Sequence, residues 1–320
     1  MSVTTEAVNG PLALIPNASV WPLGKEVFYV ATAAQISAMG KASRGLKERL
    51  FPTVEDALGA CTTARGDAIE VFEGYTANID AADKWSTLGT KTNVTIHGNG
   101  TGYSRPAFTW NAATATVLMD AAGFKIKNCN LYMAGALAST TALTVAAPIT
   151  VSAAGCEATD NYVNFGVDAD QGVTIGVTTT AAADFFDFSR NRCYGAVAAG
   201  VLTTSFFYAV GADYLKMWDT VIDGATSSTT VGTLRFITTA SLGIDIRRCF
   251  IKNTVAASVH AVTQMDGVLG VVQDCRFGIL DDATKAGWVP ANAGNGPQHA
   301  VNFTVNLAAE NGTSMTPIST

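Results

Sequence analysis

Carboxylates are the residues of this chain best suited to catalysis, and Asp184 with Asp187, Asp219 with Asp223, and Asp160 beside acids of neighbouring segments are the candidate sets. Glycoside hydrolysis needs two such groups flanking the scissile bond. A lyase instead needs a calcium-binding acid cluster beside a base that takes the proton α to a carboxylate, and Arg190, Arg192, Lys216, Arg247 and Arg248 are candidates for that base. Each acid also has a plainer explanation, because a polar residue at a bend caps exposed backbone. No catalytic residue is assigned on these grounds.

Aromatic side chains on a flat face bind sugars without cutting them. Trp85, Trp110, Trp218 and Trp288 are candidates, with Tyr103, Tyr162 and Tyr194 beside them. Trp218 lies between Met217 and Asp219 at a position that alternation points outward, so it is the glycan contact the sequence favours. The six cysteines have no Cys-x-x-Cys or Cys/His spacing, and His97, His260 and His299 are far apart, so no structural metal and no cofactor are expected.

Composition narrows the classes further. Hydrophobic residues make up 48% and charged residues 14%, enough apolar surface for a packed core and too little charge for a disordered chain. The apolar runs are short, so no membrane association is expected. A net charge of −6 with scattered basic residues argues against nucleic acid as a partner. The first residues lack a basic segment before Leu12, which points to folding in a reducing cytosol and to free thiols.

What would position these side chains is a pattern recurring about every thirty residues, the period of solenoids. It is clearest in FKIKNCNLYM, CEATDNYVNF, FDFSRNRCYG, LKMWDTVIDG, IDIRRCFIKN and VVQDCRFGI. Each alternates apolar and polar residues, meets a polar mark, and resumes with parity switched. The marks are Asn128, Asp160, Arg190, Asp219, Arg248 and Asp274, spaced by 32, 30, 29, 29 and 26 residues, and AIEVFEGY and VTIHGNG carry the series back to Glu73 and Gly98. Residues four and two before a mark face inward, as do those one and three after the later marks; the switch means the chain turns a corner there.

A third strand per turn, in TVLMD, ALTVA, VTIGV, SFFYAV, LRFIT and HAVTQM, completes an all-β, three-faced, right-handed parallel β-helix of about eight rungs. A β-sandwich is the competing arrangement, and Asp223-Gly224 and Asp266-Gly267 are the hairpin turns it would use, but their neighbours repeat in parallel order. On the β-helix the alternating marks form an exterior charge ladder. The segment 53–64 reads as a capping helix, with Thr53 as N-cap and Val54, Ala57, Leu58 and Cys61 on one face.

The order Val27-Phe28-Tyr29-Val30, FPTVEDALGAC, then Gly66-Asp67, Ala68 to Phe72 and Gly74-Tyr75 resembles the opening turn of pectin-lyase-like β-helix proteins, and with the later coils the resemblance covers about residues 27 to 280. It implies the fold and leaves activity open, since that family includes polysaccharide lyases, hydrolases and virion proteins of tailed bacteriophages. The Ala/Thr-rich, charge-poor texture resembles the phage group, and the motif clusters of pectate lyases and polygalacturonases are missing.

Three regions follow: an extended arm over 1–26, the β-helix with its cap over 27–283, and a C-terminal cap or arm over 284–320. In the first arm, Leu12, Leu14, Ile15 and Trp21 lie among Pro11, Pro16 and Pro22 and must be buried, either on the protein's own capping helix or on another subunit. The expectation is a virion structural protein made in the host cytoplasm, decorating or cementing a capsid through contacts with the major capsid protein or other virion proteins, and assembled as a homotrimer. A tailspike or fibre that binds host polysaccharide is the first alternative, and a polysaccharide lyase or glycoside hydrolase the second.

Overall fold

The computed structural model describes residues 26–39, 48–87, 89–133, 143–165, 171–195, 202–224, 232–237, 239–253, 260–263, 267–279, 287–289, 296–306 and 315–317. The arm residues Leu12, Leu14, Ile15 and Trp21 lie outside them.

Period-two alternation is realised as parallel strands stacked in register. The longest sheet has ten strands, all parallel except the last, Met315–Pro317. One inward column of this sheet runs Phe108, Leu131, Val163, Cys193, Ile222, Ile251 and Phe277 through consecutive levels. A second sheet has eight strands. The third face consists of a six-stranded and a four-stranded piece, joined where Asp187 bridges Glu157 on one side and Lys216 on the other. The protein is an all-β parallel solenoid with its apolar core along the axis.

The sequence marks are the corners. Asn128, Asp160, Arg190, Asp219, Arg248 and Asp274 have φ of 57, 63, 58, 52, 51 and 54°, the left-handed region that ends a strand and redirects the chain. Parity switches there because the bend starts a new face. The side chains expected inside, from Ile69 and Val71 to Cys275 and Phe277, are buried. In the middle of the rod the core is aromatic, with Phe188 and Phe207 at 5.2 Å and Trp110 and Phe165 at 5.6 Å.

Two early corners depart from the pattern. The first falls at Gly74 (φ 70°), one residue after Glu73. At the second, Gly98 is followed by an excursion over 99–106 that carries the 3-10 turn Gly102–Ser104 before the next strand, Ala107–Trp110. Gly98 has no room for a side chain, since a Cβ would lie 2.3 Å from the Asn128 carbonyl oxygen.

The stack continues beyond the point where the repeat fades at Thr284. Gln298–Ala300 pairs with Gly270–Gln273, Phe303–Asn306 pairs with Arg276–Ile279, and Val301 (φ 55°) makes the corner between them. An exposed valine at a left-handed corner gives no polar mark, so this rung is hidden in the sequence.

At the other end the helix Val54–Ala60 buries Val54, Ala57 and Leu58, and the Thr53 side chain accepts the Asp56 N–H at 3.1 Å. The Gly-Asp pair has a local cause. Gly66 (φ 74°) turns the chain so that buried Asp67 accepts the N–H groups of Glu26 at 3.1 Å and Thr62 at 2.8 Å and pairs with Arg65. One carboxylate thereby ties the first strand, the helix exit and the first rung together. Tyr75 donates its hydroxyl to the Pro52 carbonyl at 3.0 Å, fixing the Gly-Tyr turn beneath the helix.

Candidate functional site

The charge ladder resolves into discrete pairs. Arg190 grips Asp160 with two bonds of 2.7 and 2.8 Å, and Arg248 grips Asp219 with two of 2.6 and 2.8 Å, each from the rung above. Lys216 pairs with Asp187 at 2.7 Å, Lys252 with Asp223, and both Lys125 and Lys127 with Glu157. Asp184 and Asp213 accept backbone N–H groups of Asp213 and Leu242 at 2.9 and 2.7 Å. Each acid of the Asp184/Asp187 and Asp219/Asp223 sets therefore has a structural partner. Burial raises the Asp160 carboxyl, but the bonds and charge of Arg190 outweigh it and hold the group below the usual carboxylate range. The hydrogen bonds of Arg248 do the same for Asp219.

The tryptophans divide. Trp85, Trp110 and Trp288 are buried and belong to the core, which removes them as surface contacts. Trp85 packs edge-on to Phe108 at 4.8 Å, Trp110 takes an inward position on its strand, and Trp288 covers Phe277 on the terminal rungs. Trp218 does point outward, half-buried, with Lys216 4.2 Å from its ring centre and Arg247 and Arg248 at 5.4 and 5.9 Å. Its face is occupied by cations.

A cleft shaped for a ligand lies one corner away. It has a volume of about 350 Å³ and is lined by Tyr103, Arg105, Tyr132, Asp160, Tyr162, Arg190 and Arg192. Asn130, Tyr132, Tyr162 and Arg192 of the ten-stranded sheet form its floor, and two outward columns of the sheet pass through them. Tyr132 and Tyr194 flank Asn164 in one column, and Tyr162 pairs with Arg192 in the other. The three rings zigzag over three levels, with centroids 5.8 and 5.4 Å apart. The wall is the 99–106 excursion, which carries Arg105 and Tyr103, the latter 94% exposed. Burial, then the neighbouring tyrosines, pushes the Tyr132 and Tyr162 hydroxyls above their ordinary value, so both remain neutral donors.

Of these residues the sequence singled out Tyr103, Tyr162 and Tyr194 as aromatic companions and Arg190 and Arg192 as cations, without placing them together. Tyr132 was missed, although its even offset from the Asn128 mark follows the same outward parity as Tyr162. Arg105 carries no sequence signal, since it lies where the period is interrupted. Among the described residues no three His, Cys, Asp or Glu side chains gather as a metal site would.

Fold and surface define a class: a parallel β-solenoid, compatible with the pectin-lyase-like β-helix, with a lateral tyrosine and arginine cleft and paired exterior charges. Comparison with known families finds no model that matches the chain, and no curated protein matches it.

Proposed function

We propose that the protein is a structural component of a bacteriophage virion that decorates or cements a capsid, with the β-solenoid as a stiff stem and the segments 1–26 and 284–320 as attachment points. The observation that carries a structural role is that Asp160, Asp187, Asp219 and Asp223 on the exterior are each held by a cation of the adjacent rung. Such pairs lock rung to rung along the rod and leave the cleft a single carboxylate, Asp160, already gripped by Arg190. Two-carboxylate hydrolysis has no second partner there. Support for the virion setting comes from the Ala/Thr-rich, charge-poor texture, which resembles the phage members of the β-helix group that the first turn resembles. A closed homotrimer suits a solenoid with exposed lateral faces.

Quantitative mass spectrometry of purified particles, separated into capsids and tails, tests this reading. Enrichment with capsids in a constant ratio to the major shell protein is expected. Recovery with tails alone, or absence from particles, overturns it.

A further inference from the structure

The corner that leads into the third face forms a column of its own. From Gly66 it rises through Gly123 and Gly155 to Phe185, Tyr214 and Gly243, all with φ between 56 and 74°, and Leu269 stands opposite Gly243. Its upper half is apolar and uncovered. Of the six large hydrophobics exposed among the described residues, four stand here: Phe185, Tyr214, Leu242 and Leu269. They occupy consecutive rungs, and the first two stack ring on ring at 4.7 Å. Exposed apolar side chains scattered singly are ordinary, whereas a continuous run of them marks a surface that another segment covers.

The chain enters the stem at the base of the same column. Glu26 lies beside Asp67, next to the Gly66 corner, donating its N–H to the Asp67 carboxylate at 3.1 Å and accepting the Ala68 N–H at 2.9 Å. The preceding segment 7–24, outside the described residues, has no charged side chain and contains Leu12, Leu14, Ile15 and Trp21. Lengths agree as well. Phe185 to Leu269 lie five to eight rungs from Glu26, or ~24 to 38 Å. Leu12 to Ile15 lie eleven to fourteen residues before Glu26, or ~34 to 43 Å at the ~3.1 Å per residue of a proline-rich extended chain. Trp21 reaches ~16 Å, level with the corner at Gly123, which carries no side chain.

We propose that the segment 7–24 lies along this corner of its own stem, with Trp21 over the glycine corners and Leu12, Leu14 and Ile15 against Phe185, Tyr214, Leu242 and Leu269. Pro11, Pro16 and Pro22 keep such a segment extended, which lowers the entropy lost on docking. A second copy is the less favoured occupant, because an arm tethered at the base of the column meets its own stripe at a far higher effective concentration. The inference goes beyond the virion reading, and attachment through the arm then requires its release from the stem.

Full-length protein with the photo-crosslinking residue benzoylphenylalanine in place of Tyr214 is irradiated as a mixture of ordinary and heavy-isotope-labelled chains. Peptide mass spectrometry is expected to find links to residues 7–24 of the same chain and no mixed-isotope pairs. Cleavage of the arm by chymotrypsin is the second measurement. Phe185→Asn with Tyr214→Asn, in which the new side chains tolerate left-handed corners, should accelerate that cleavage about tenfold. Links between chains, links that miss the segment 7–24, absence of any link, or unchanged cleavage in the double variant each overturns the proposal.

Discussion

The Asn161 backbone N–H donates to Asn191 Oδ1 at 2.9 Å, while the Asn191 side-chain amide donates to the Ala158 carbonyl at 2.7 Å. The same step recurs along the rod. Cys129 N–H donates to Asn161 Oδ1 at 2.9 Å and Asn161 Nδ2 to Ile126 O at 3.0 Å; on the terminal rung Cys275 N–H donates to Asn302 Oδ1 at 2.9 Å and Asn302 Nδ2 to Val272 O at 2.7 Å. Left-handed corners take backbone groups out of the strand ladder, and at Asn161, Asn191 and Asn302 an inward amide just after the corner supplies partners for them, a role that the Thr220 hydroxyl and the Cys275 sulfur take on other rungs. A polar column thus runs through an apolar core with its bonds satisfied.

Removing one member is therefore expected to harm stability out of proportion to its size. Asn161→Ala leaves the Cys129 N–H without its acceptor in a buried site and removes a donor from the Ile126 carbonyl, at a cost of about 1–3 kcal/mol. Asn161→Thr should lose less, because Thr220 already bridges two rungs with its hydroxyl, accepting from Asn191 N–H at 3.3 Å and donating to Phe188 O at 3.0 Å. Urea denaturation of both variants measures the difference. A loss below about 1 kcal/mol for the alanine variant would remove the ladder's stabilising role.

The exterior pairs predict a smaller, salt-sensitive effect. A double-mutant cycle with Asp160→Asn and Arg190→Gln should give a coupling of roughly 0.2–1 kcal/mol that shrinks in high salt, since both side chains are partly exposed. Asp160, Asp219 and Glu157 are all held below their ordinary values. Their contribution is complete above the unfolded carboxylate range and is lost as pH falls through the depressed folded values, so stability should decline with acid below about pH 4. Thermal melts from pH 7 to pH 2 check the sign; a decline starting near neutrality would implicate other groups.

Much of this architecture was legible because alternation and burial are the same physical fact in a strand. Ile126, Phe188 and Ile246 could be placed inside from spacing alone, and the corners at Asp160 and Arg190 followed from the parity switch without any backbone angle being visible. What stayed hidden lies where the period breaks. The excursion carrying Tyr103 and Arg105 has no counterpart on other rungs, and Val301 lacks the polar character of the other marks. The tryptophans misled for a different reason: Trp85 and Trp288 lie outside the alternating stretches, so parity gave no direction for them.

Phe185 and Tyr214 are exposed, adopt φ of 59 and 56°, and stack at 4.7 Å on a corner where Gly123, Gly155 and Gly243 stand on other rungs. A Cβ on Gly243 would lie 2.6 Å from the Tyr214 ring. Gly243→Ala should then cost about 1–3 kcal/mol through backbone strain and ring displacement. The cost should be smaller in a Tyr214→Gly background, where only the strain remains. Equal losses in the two backgrounds, measured by chemical denaturation, would show that the ring does not need the space.

The cysteines give the last test, and two independent causes point the same way. All six are free and buried. Cys129 and Cys249 are four rungs apart, which at ~4.8 Å per rung is far beyond disulfide reach. Cys249 and Cys275 are on adjacent levels and touch, with the Cys249 N–H donating to Cys275 Sγ at 3.4 Å, yet they remain unbridged. Burial also pushes the thiols of Cys61, Cys129 and Cys156 up to about 12, so almost none is thiolate at pH 8. For these three, exclusion of reagent and loss of the nucleophilic form both demand that a rung open before reaction; the Cys275 thiol, drawn down by its hydrogen bond with Cys249, is protected by burial alone. Titration of the intact protein with a thiol reagent at pH 8 should therefore be slow and accelerate with sub-denaturing urea, and denaturation without reductant should release all six thiols. Rapid reaction of the folded protein would show an open coil, and recovery of four or fewer thiols would show a disulfide that the stacked register does not permit.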